Sequence, residues 1–227
     1  MTQDAFKFSE KLLTWFDQFG RKDLPWQQNK TPYRVWVSEI MLQQTQVSSV
    51  IEYYQRFMSR FPTLESLAIA DEDRVLELWA GLGYYARARN LHKTAKIIHQ
   101  DHQGNFPNTL GDIVALPGIG RSTAGAILSI AFKQQATILD GNVKRVLCRL
   151  NAITSWPGER ETEKRLWALA EQLTPNSRTG DYTQAIMDFG ATLCTRSKPN
   201  CQACPLQQDC LALASDRVKE LPHGKPK

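Results

Sequence analysis

The sequence predicts an all-α protein, because apolar residues recur at helical spacing and strand patterns are nearly absent. Helix breakers such as Leu116-Pro117-Gly118 separate the periodic segments. With 227 residues, 42% of them hydrophobic, the chain is long and apolar enough to bury a substantial core. The clearest apolar stripe follows the i, i+3, i+4, i+7 rule at Val47, Val50, Ile51, Tyr54, Phe57 and Met58.

Four further segments complete the helical reading. The first 19 residues form an amphipathic helix without the basic start and apolar block of a signal peptide. Residues 143–150, 166–173 and 182–193 each carry one apolar face. Asp140-Gly141 could begin a hairpin, but the residues after it are helix-periodic, so we predict Asp140 as a helix N-cap.

Charge and hydropathy indicate a cytoplasmic protein without a membrane partner. The longest nearly apolar run, residues 124–132, is too short to span a bilayer. The formal net charge of +5 is compatible with a polyanionic partner but is weak evidence alone. His92, His99, His102 and His223 show no ligand spacing and are predicted at the surface.

Four cysteines near the end of the chain predict an iron–sulfur cluster. Zinc ribbons usually have two Cys-x-x-Cys pairs, whereas only one is present here. Uneven spacing around one such pair is typical of a [4Fe-4S] cubane with one thiolate per iron. Zinc and disulfides remain alternatives, and the fifth cysteine, Cys148, is expected to be packing. The four ligands would be Cys194, Cys201, Cys204 and Cys210.

A glycine-rich turn between two helical segments predicts a phosphate site. In Leu116-Pro117-Gly118-Ile119-Gly120 the glycines would let backbone amides face outward at a helix start, where an anionic oxygen is favoured. An ordinary tight turn between helices is the alternative. With Arg121 and Ser122 following, the segment resembles a helix-hairpin-helix clamp for DNA phosphates.

The order of these features resembles the base-excision DNA glycosylase superfamily. Asp140 lies twenty residues after Gly120, and the cysteine loop follows at its C-terminal side, as in the endonuclease III and MutY branch. Residues 24–26 (LPW), 36–47 (WVSEIMLQQTQV) and 81–89 (GLGYYARAR) look like the MutY group, the adenine DNA glycosylases. The resemblance covers essentially the whole chain.

The resemblance implies a two-lobed helix-hairpin-helix DNA glycosylase fold with a [4Fe-4S] cluster loop. A six-helix lobe would span residues 22–133 and hold the hairpin, and residues 1–21 with 134–227 would form the cluster lobe. The DNA cleft would lie between them, with Glu39 on one wall and Asp140 on the other. The C-terminal domain with which the family reads 8-oxoguanine is expected to be absent from this chain, and the sequence leaves open whether a longer protein exists.

The implied function is a monofunctional adenine DNA glycosylase of base-excision repair. It would hydrolyse the N-glycosidic bond of adenine mispaired with 8-oxoguanine or guanine, after base flipping. Its partner would be double-stranded DNA with a mispaired adenine, and it would act as a monomer in the bacterial cytoplasm at the nucleoid. The rivals are an endonuclease III-like pyrimidine glycosylase and lyase, and a non-catalytic iron–sulfur DNA-binding protein. The first is disfavoured by Ser122, which stands where that branch has its lysine.

The catalytic residues implied by the resemblance are Glu39, Asp140 and Asn142. The sequence supports Glu39 independently: on a helix it shares a face with Val35 and Leu42, and an apolar setting raises a carboxyl pKa toward that of a useful proton donor. A solvated glutamate is the alternative. Asp140 would stabilise the charged sugar and Asn142 would orient it.

The remaining site residues are implied by the resemblance in two groups. Leu24, Trp26 and Gln184 would line the pocket for the flipped base. The residues that would contact DNA are Gln44 and Tyr84, which wedge into the stack, together with Gly118, Gly120, Arg121, Ser122, Lys144, Arg196 and Lys198.

Overall fold

The computed structural model describes residues 3–226, apart from the side chains of residues 3, 4 and 6. Within that range the chain forms twelve α-helices, three short 3-10 helices and no strand, which confirms the predicted all-α class. The 3-10 helices are Pro25–Gln27, Cys201–Ala203 and Gln207–Asp209. The α-helices are α1 (Gln3–Phe19), α2 (Pro32–Leu42), α3 (Val47–Arg60), α4 (Leu64–Ala68), α5 (Glu72–Trp79), α6 (Tyr85–Asp101), α7 (Leu110–Val114), α8 (Arg121–Ile130), α9 (Gly141–Leu150), α10 (Arg160–Leu173), α11 (Thr179–Thr192) and α12 (Leu211–Ala214).

The chain divides into two compact units. One consists of residues 22–132, and the other of residues 1–21 together with 133–227. Among the described residues, no helix combines the length and the apolar character needed to cross a bilayer.

The unit of residues 22–132 is built around α2, which packs against α3, α6 and α8. Trp36 at its centre is fully buried, with edge-to-face contacts to the rings of Tyr33 and Phe106 at centroid distances of 6.3 and 5.5 Å. The Tyr33 hydroxyl donates a hydrogen bond to the carbonyl of Phe61 at 2.7 Å. Aromatic packing of this kind makes α2 a rigid central element.

In the other unit, α1 packs against α10 and α11. The rings of Trp15 and Phe189 meet edge to face at 5.2 Å. Helix α9 packs on α11 so closely that a Cβ added to Gly190 would lie 2.7 Å from the Cβ of Asn142. The glycine therefore sets how near α11 comes to the first turn of α9.

One surface prediction is wrong. His92 is 1% exposed, and its Nε2 lies 3.0 Å from the carbonyl oxygen of Ala70. Burial, followed by the nearby charge of Lys96, lowers the pKa of His92. The physical reason is that α6 packs against both α4 and α5, so its buried face is wider than one apolar stripe.

Candidate active site

Asp140 caps helix α9, as the sequence predicts. Its Oδ1 accepts a hydrogen bond from the backbone N–H of Val143 at 2.8 Å, and its Oδ2 accepts one from Asn142 Nδ2 at 3.4 Å. Burial raises the pKa of Asp140, and the hydrogen bonds from Val143 and Asn142 oppose that effect. The carboxyl group is therefore fixed in place by the start of the helix.

Arg145 connects this carboxyl group to the cysteine loop. Its Nη2 donates hydrogen bonds to Asn142 Oδ1 at 2.8 Å and to the carbonyl of Gly190 at 2.5 Å. Its Nε donates to the carbonyl of Cys194 at 2.9 Å. A continuous chain of hydrogen bonds thus runs from the backbone of Cys194 through Arg145 and Asn142 to Asp140.

Lys144, predicted to contact a phosphate, forms an ion pair in this structure. Its Nζ lies 2.5 Å from Glu163 Oε1, and its side chain is 23% exposed. Arg196 and Lys198, two further basic residues predicted to contact DNA, are exposed on the cysteine loop.

The four clustered cysteines line one pocket of about 310 Å³, counting its open part. Within residues 3–226 all of them are free thiols, so the disulfide alternative finds no support. Burial raises the pKa of Cys204 to about 12 and also raises the pKa of Cys201 and Cys210. Such thiols would lose their protons when a metal binds them.

The hydrogen-bond donors around these sulfurs fit an iron–sulfur cluster. The backbone N–H of Leu206 bonds to Cys204, and the N–H of Leu213 bonds to Cys210. Donors of this kind stabilise sulfur that carries negative charge. In the described part of the chain, no group of three or more Cys, His, Asp or Glu side chains is arranged to hold a single metal ion.

Arg149 fixes the loop that carries the cysteines. It is 2% exposed, and it donates hydrogen bonds to the carbonyls of Thr195 at 2.7 Å, Arg196 at 2.9 Å and Leu221 at 2.9 Å. Its Nη1 also lies 3.4 Å from Cys194 Sγ. The guanidinium group therefore holds the backbone of the loop and places positive charge beside one of the sulfurs.

Cys148 is fully buried, as expected for a packing residue. Burial raises the pKa of its thiol to about 11.

Glu39 lies on α2 between the buried residues Ser38 and Ile40 and is itself half-buried. Thr31 caps the helix by accepting a hydrogen bond from the N–H of Arg34 at 3.3 Å. The partly buried position agrees with the semi-apolar surroundings expected from the sequence, and the role of Glu39 as an acid stays a prediction.

The residues predicted to line the base pocket are divided between the two units. In the unit of residues 22–132, Leu24 is half-buried and Trp26 is buried, with its ring 5.6 Å from that of Tyr54 at an angle of 79°. The Oε1 of Gln27 is buried and, among the described residues, has no hydrogen-bond partner, while the buried hydroxyl of Tyr54 lies near Arg34. Gln184 is buried on α11, in the other unit.

The hairpin between α7 and α8 contains two glycines with different physical roles. Gly118 has φ +77°, and a Cβ there would lie 2.8 Å from the Cβ of Asn90. Gly120 has φ −86°, and a Cβ there would meet nothing within 4 Å. The turn itself is anchored because Thr94 Oγ1 donates to the carbonyl of Pro117 at 2.9 Å. Gly118 is therefore needed by the fold, whereas a Cβ at Gly120 would be tolerated by the described chain itself.

The start of α8 has the form expected of an anion site. The N-cap is Gly120, which has no side chain to accept hydrogen bonds from the N–H groups of the first turn. Both hairpin glycines and Arg121 are exposed, and Ser122 is half-buried. The positive end of the helix dipole therefore faces solvent beside a basic side chain.

The two predicted wedge residues lie at exposed turns with left-handed backbone. Gln44 has φ +56° and follows α2, and Tyr84 has φ +52° and precedes α6. Tyr84 is 62% exposed. Positive φ is uncommon for such residues, so the surrounding structure must hold both turns in place.

Comparison with known families identifies the chain. Residues 37–172 match the model of the HhH-GPD superfamily base excision DNA repair proteins. The chain belongs to this superfamily. Residues 194–210, bounded by the first and last of the four cysteines, match the iron–sulfur binding domain of endonuclease III. The loop is therefore an iron–sulfur domain, as the cysteine spacing predicts.

Curated relatives of this HhH-GPD chain include adenine DNA glycosylases from distant organisms. One from Buchnera aphidicola subspecies Baizongia pistaciae is 49% identical over 94% of this chain and 60% of the relative. One from Rattus norvegicus is 46% identical over 98% of this chain and 45% of the relative, and one from Homo sapiens is 47% identical over 90% and 39%. The chain thus spans about 60% or less of the length of these relatives.

Solved structures share the HhH-GPD fold. A thermostable thymine-DNA glycosylase matches with a TM-score of 0.84 at 28% identity, over 94% of this chain and 98% of that one. A non-covalent endonuclease III–DNA complex matches with a TM-score of 0.77 at 20% identity, over 96% and 99%. The second likeness concerns the fold alone.

Sequence reasoning missed two residues in the site of this HhH-GPD protein. No sequence motif marks Arg145 or Arg149, although they hold Asn142 and the cysteine loop. Both arginines lie on α9 among its apolar residues, but nothing in the neighbouring sequence indicates that their side chains are buried. Their i, i+4 spacing alone is typical of a solvated helix face.

Proposed function

We propose that this chain is the catalytic part of a monofunctional adenine DNA glycosylase, which removes adenine mispaired with 8-oxoguanine or guanine. The observation that carries the proposal is the sequence identity of 46–49% to adenine DNA glycosylases over 90% or more of the chain. Its substrate would be duplex DNA in the bacterial cytoplasm, bound by a single copy of the protein.

An adenine inside a duplex is out of reach, so the enzyme must turn it out of the stack at a cost of a few kcal/mol. Gln44 and Tyr84 would enter the stack and hold the gap open, which their exposed turns support. Leu24, Trp26 and Gln184 would line the pocket for the base. The Gly118–Gly120 turn, with Arg121, Ser122, Lys144, Arg196 and Lys198, would hold phosphates and so set the register without reading sequence.

Glu39 would act as the acid. It would donate a proton to N7 of adenine, so that the base leaves as a neutral molecule when the bond between C1′ and N9 breaks with both electrons on the nitrogen. Its half-buried position on the central helix α2 supports this role, because the packing of that helix fixes where the carboxyl group lies.

Asp140 would stabilise the positive charge that the sugar develops as adenine leaves. The cap hydrogen bond from Val143 and the contact from Asn142 hold its carboxyl group in one position, so little reorganisation is needed. Water then adds at C1′ and gives up a proton, which leaves an intact strand with an abasic site. Ser122 supports this monofunctional outcome, since a hydroxyl cannot form the imine of a lyase.

The iron–sulfur cluster would be of the [4Fe-4S] type, with one iron on each of the four cysteines. Its role here would be structural: it would hold the loop that presents Arg196 and Lys198 to DNA. Hydrolysis of an N-glycosidic bond needs no electron transfer.

The test is single-turnover release of adenine from duplexes that place it opposite guanine, 8-oxoguanine or thymine. Glu39→Gln should bind these duplexes with nearly unchanged affinity and release adenine about 10²–10⁴-fold more slowly, because it keeps the shape and loses the proton. Glu52→Gln, at an exposed position of α3, is the matched control and should be unaffected. A near-native rate of adenine release by Glu39→Gln would contradict the role of Glu39 as the proton donor.

A further inference from the structure

Arg87, in the first turn of α6, ties two separate turns together. Its Nη1 donates hydrogen bonds to the carbonyls of Ile40 and Met41, each at 2.9 Å, and of Gln43 at 2.6 Å. These are carbonyls at the end of α2 and just beyond it, where a helix leaves its acceptors without internal partners. Arg87 therefore caps the helix that carries Glu39.

The other amino group of the same guanidinium reaches the second turn. Arg87 Nη2 lies 3.2 Å from Thr45 Oγ1, 3.4 Å from the carbonyl of Leu82 and 3.2 Å from that of Gly83. The Arg87 contacts thus flank Gln44 on both sides in the first turn and end directly before Tyr84 in the second.

Ring contacts place the guanidinium between these elements. Its carbon atom lies 5.4 Å from the ring centroid of Trp79 and 5.3 Å from that of Tyr84. Trp79 in turn donates from Nε1 to the carbonyl of Gly83 at 3.0 Å. The exposed Tyr84 ring is therefore held partly by the same cation that fixes its backbone.

The position of Arg87 is costly for its own helix. A cation in the first turn opposes the helix dipole. Its Nε is buried and, among the described residues, has no hydrogen-bond partner, and burial lowers the pKa of the side chain. Among the described residues, the guanidinium donates to five backbone carbonyls and one hydroxyl, and two aromatic rings lie beside it. A buried donor left without a partner destabilises the folded chain, which offsets part of what the other hydrogen bonds of Arg87 contribute.

We propose that Arg87 is a positioning residue for base extrusion, which holds the Gln44 and Tyr84 turns in one fixed relation. Gln44 and Tyr84 both adopt left-handed backbone, which is strained for residues with a side chain and persists only when the surroundings impose it. One planar group with donors toward both turns imposes it on both at once. This inference rests on the proposed function, because it concerns how that enzyme would open the duplex.

Arg87→Lys is the test variant, since one ammonium group can reach one turn but cannot span both. Adenine release would be measured at saturating enzyme, and base extrusion would be followed separately by the fluorescence of 2-aminopurine placed at the target position. We expect Arg87→Lys to lower both, the rate by about tenfold or more, because small misplacements carry costs of that size. Arg89→Met is the control: it removes an exposed arginine of the same helix, 3.7 Å from Glu72, and should change neither.

A double-mutant cycle separates positioning from general stability. If Arg87 acts through the Gln44 and Tyr84 turns, Arg87→Lys should lower the rate of adenine release by less than about threefold when Gln44→Ala is already present. An equal loss in both backgrounds, or no loss in the unsubstituted background, would overturn the inference. Should Arg87→Lys fold poorly, Thr45→Ser and Thr45→Val replace it. Valine removes one acceptor of the guanidinium together with the bond that Thr45 Oγ1 donates to the carbonyl of Gln43, and should give a smaller loss with the same dependence on Gln44, whereas serine keeps both bonds and should give none.

The fluorescence measurement keeps the two proposals apart. If the unsubstituted chain released no adenine, the proposed function would fail. The rise in 2-aminopurine fluorescence on DNA binding would still decide the role of Arg87. Arg87→Lys should make that rise smaller in the otherwise unsubstituted chain, and should not reduce it further when Gln44→Ala is already present.

Discussion

Arg87 and Arg149 each lie beneath a surface segment that we assign to function, but the two are built differently. Arg149 is 2% exposed and donates to the carbonyls of Thr195 and Arg196, next to Cys194, and to that of Leu221 near the end of the chain. Arg87 is half-buried, stacks on two rings and connects two short turns. The cysteine loop is a long segment that depends on one deeply buried cation, whereas the Gln44 and Tyr84 turns end well-formed helices and need only to be kept in register.

The difference teaches which property each arginine controls. Removal of a deeply buried group that holds a loop leaves the carbonyls of Thr195, Arg196 and Leu221 without their donor, so the free-energy cost falls on folding and on the cluster. Loss of a half-buried group between two stable helices changes mainly where two exposed side chains lie. We therefore expect substitution of Arg149 to lower mainly the stability of the protein, and substitution of Arg87 to lower mainly its rate of turnover.

The largest effect is expected for Arg149→Met. It leaves the carbonyls of Thr195, Arg196 and Leu221 without their donor, which should destabilise its unit by roughly 3–5 kcal/mol and lower the iron content per chain. Thermal unfolding and iron analysis measure both. Arg165→Met, at an exposed site on α10, is the matched control. A full iron content with an unchanged melting temperature would remove the distinction between the two arginines.

An intermediate effect is expected at the hairpin, where substitutions of the two glycines distinguish effects on stability from effects on DNA binding. Gly118→Ala should lower stability by about 1–3 kcal/mol, because φ is +77° and the new Cβ would press on Asn90. Gly120→Ala should leave the melting temperature nearly unchanged, since nothing lies within 4 Å of its Cβ. Both should weaken binding to every duplex alike, as loss of a phosphate contact does. Normal DNA affinity of a well-folded Gly120→Ala would show that phosphates do not approach there.

The smallest effect on stability is expected for Asp140→Asn, and it depends on pH. Because burial raises the pKa of Asp140 above its ordinary value, the folded protein loses stability as pH rises through that folded pKa. Asparagine caps a helix as well as aspartate and does not titrate. The melting temperature of the variant relative to the unsubstituted protein should therefore increase from about pH 4 upward, where aspartate begins to ionise. A relative stability that fell with pH would contradict the raised pKa, while loss of adenine release is expected at every pH.

The helices themselves could be predicted from the sequence because their signals are local. The apolar stripe from Val47 to Met58 became α3 (Val47–Arg60), and Asp140 became the N-cap of α9. The cysteine spacing likewise indicated the iron–sulfur domain that residues 194–210 match. In each case residues a few positions apart carry the whole argument.

The rest depends on contacts between distant residues, which periodicity does not encode. Arg149 is buried because the chain returns to it 72 residues later at Leu221. His92 is buried because two other helices cover α6. Arg87 lies inside the segment 81–89 that resembles the MutY group, yet its partners at the end of α2 are more than 40 residues away.

The central claim is that this chain releases adenine and leaves the strand intact. The most direct measurement is a single-turnover reaction of the 227-residue chain on a duplex with adenine opposite 8-oxoguanine, divided and analysed with and without alkali. The account predicts strand breaks after alkali and almost none before it. Breaks that accumulate without alkali as fast as adenine is released would contradict the monofunctional mechanism, and no breaks in either sample would contradict the glycosylase itself.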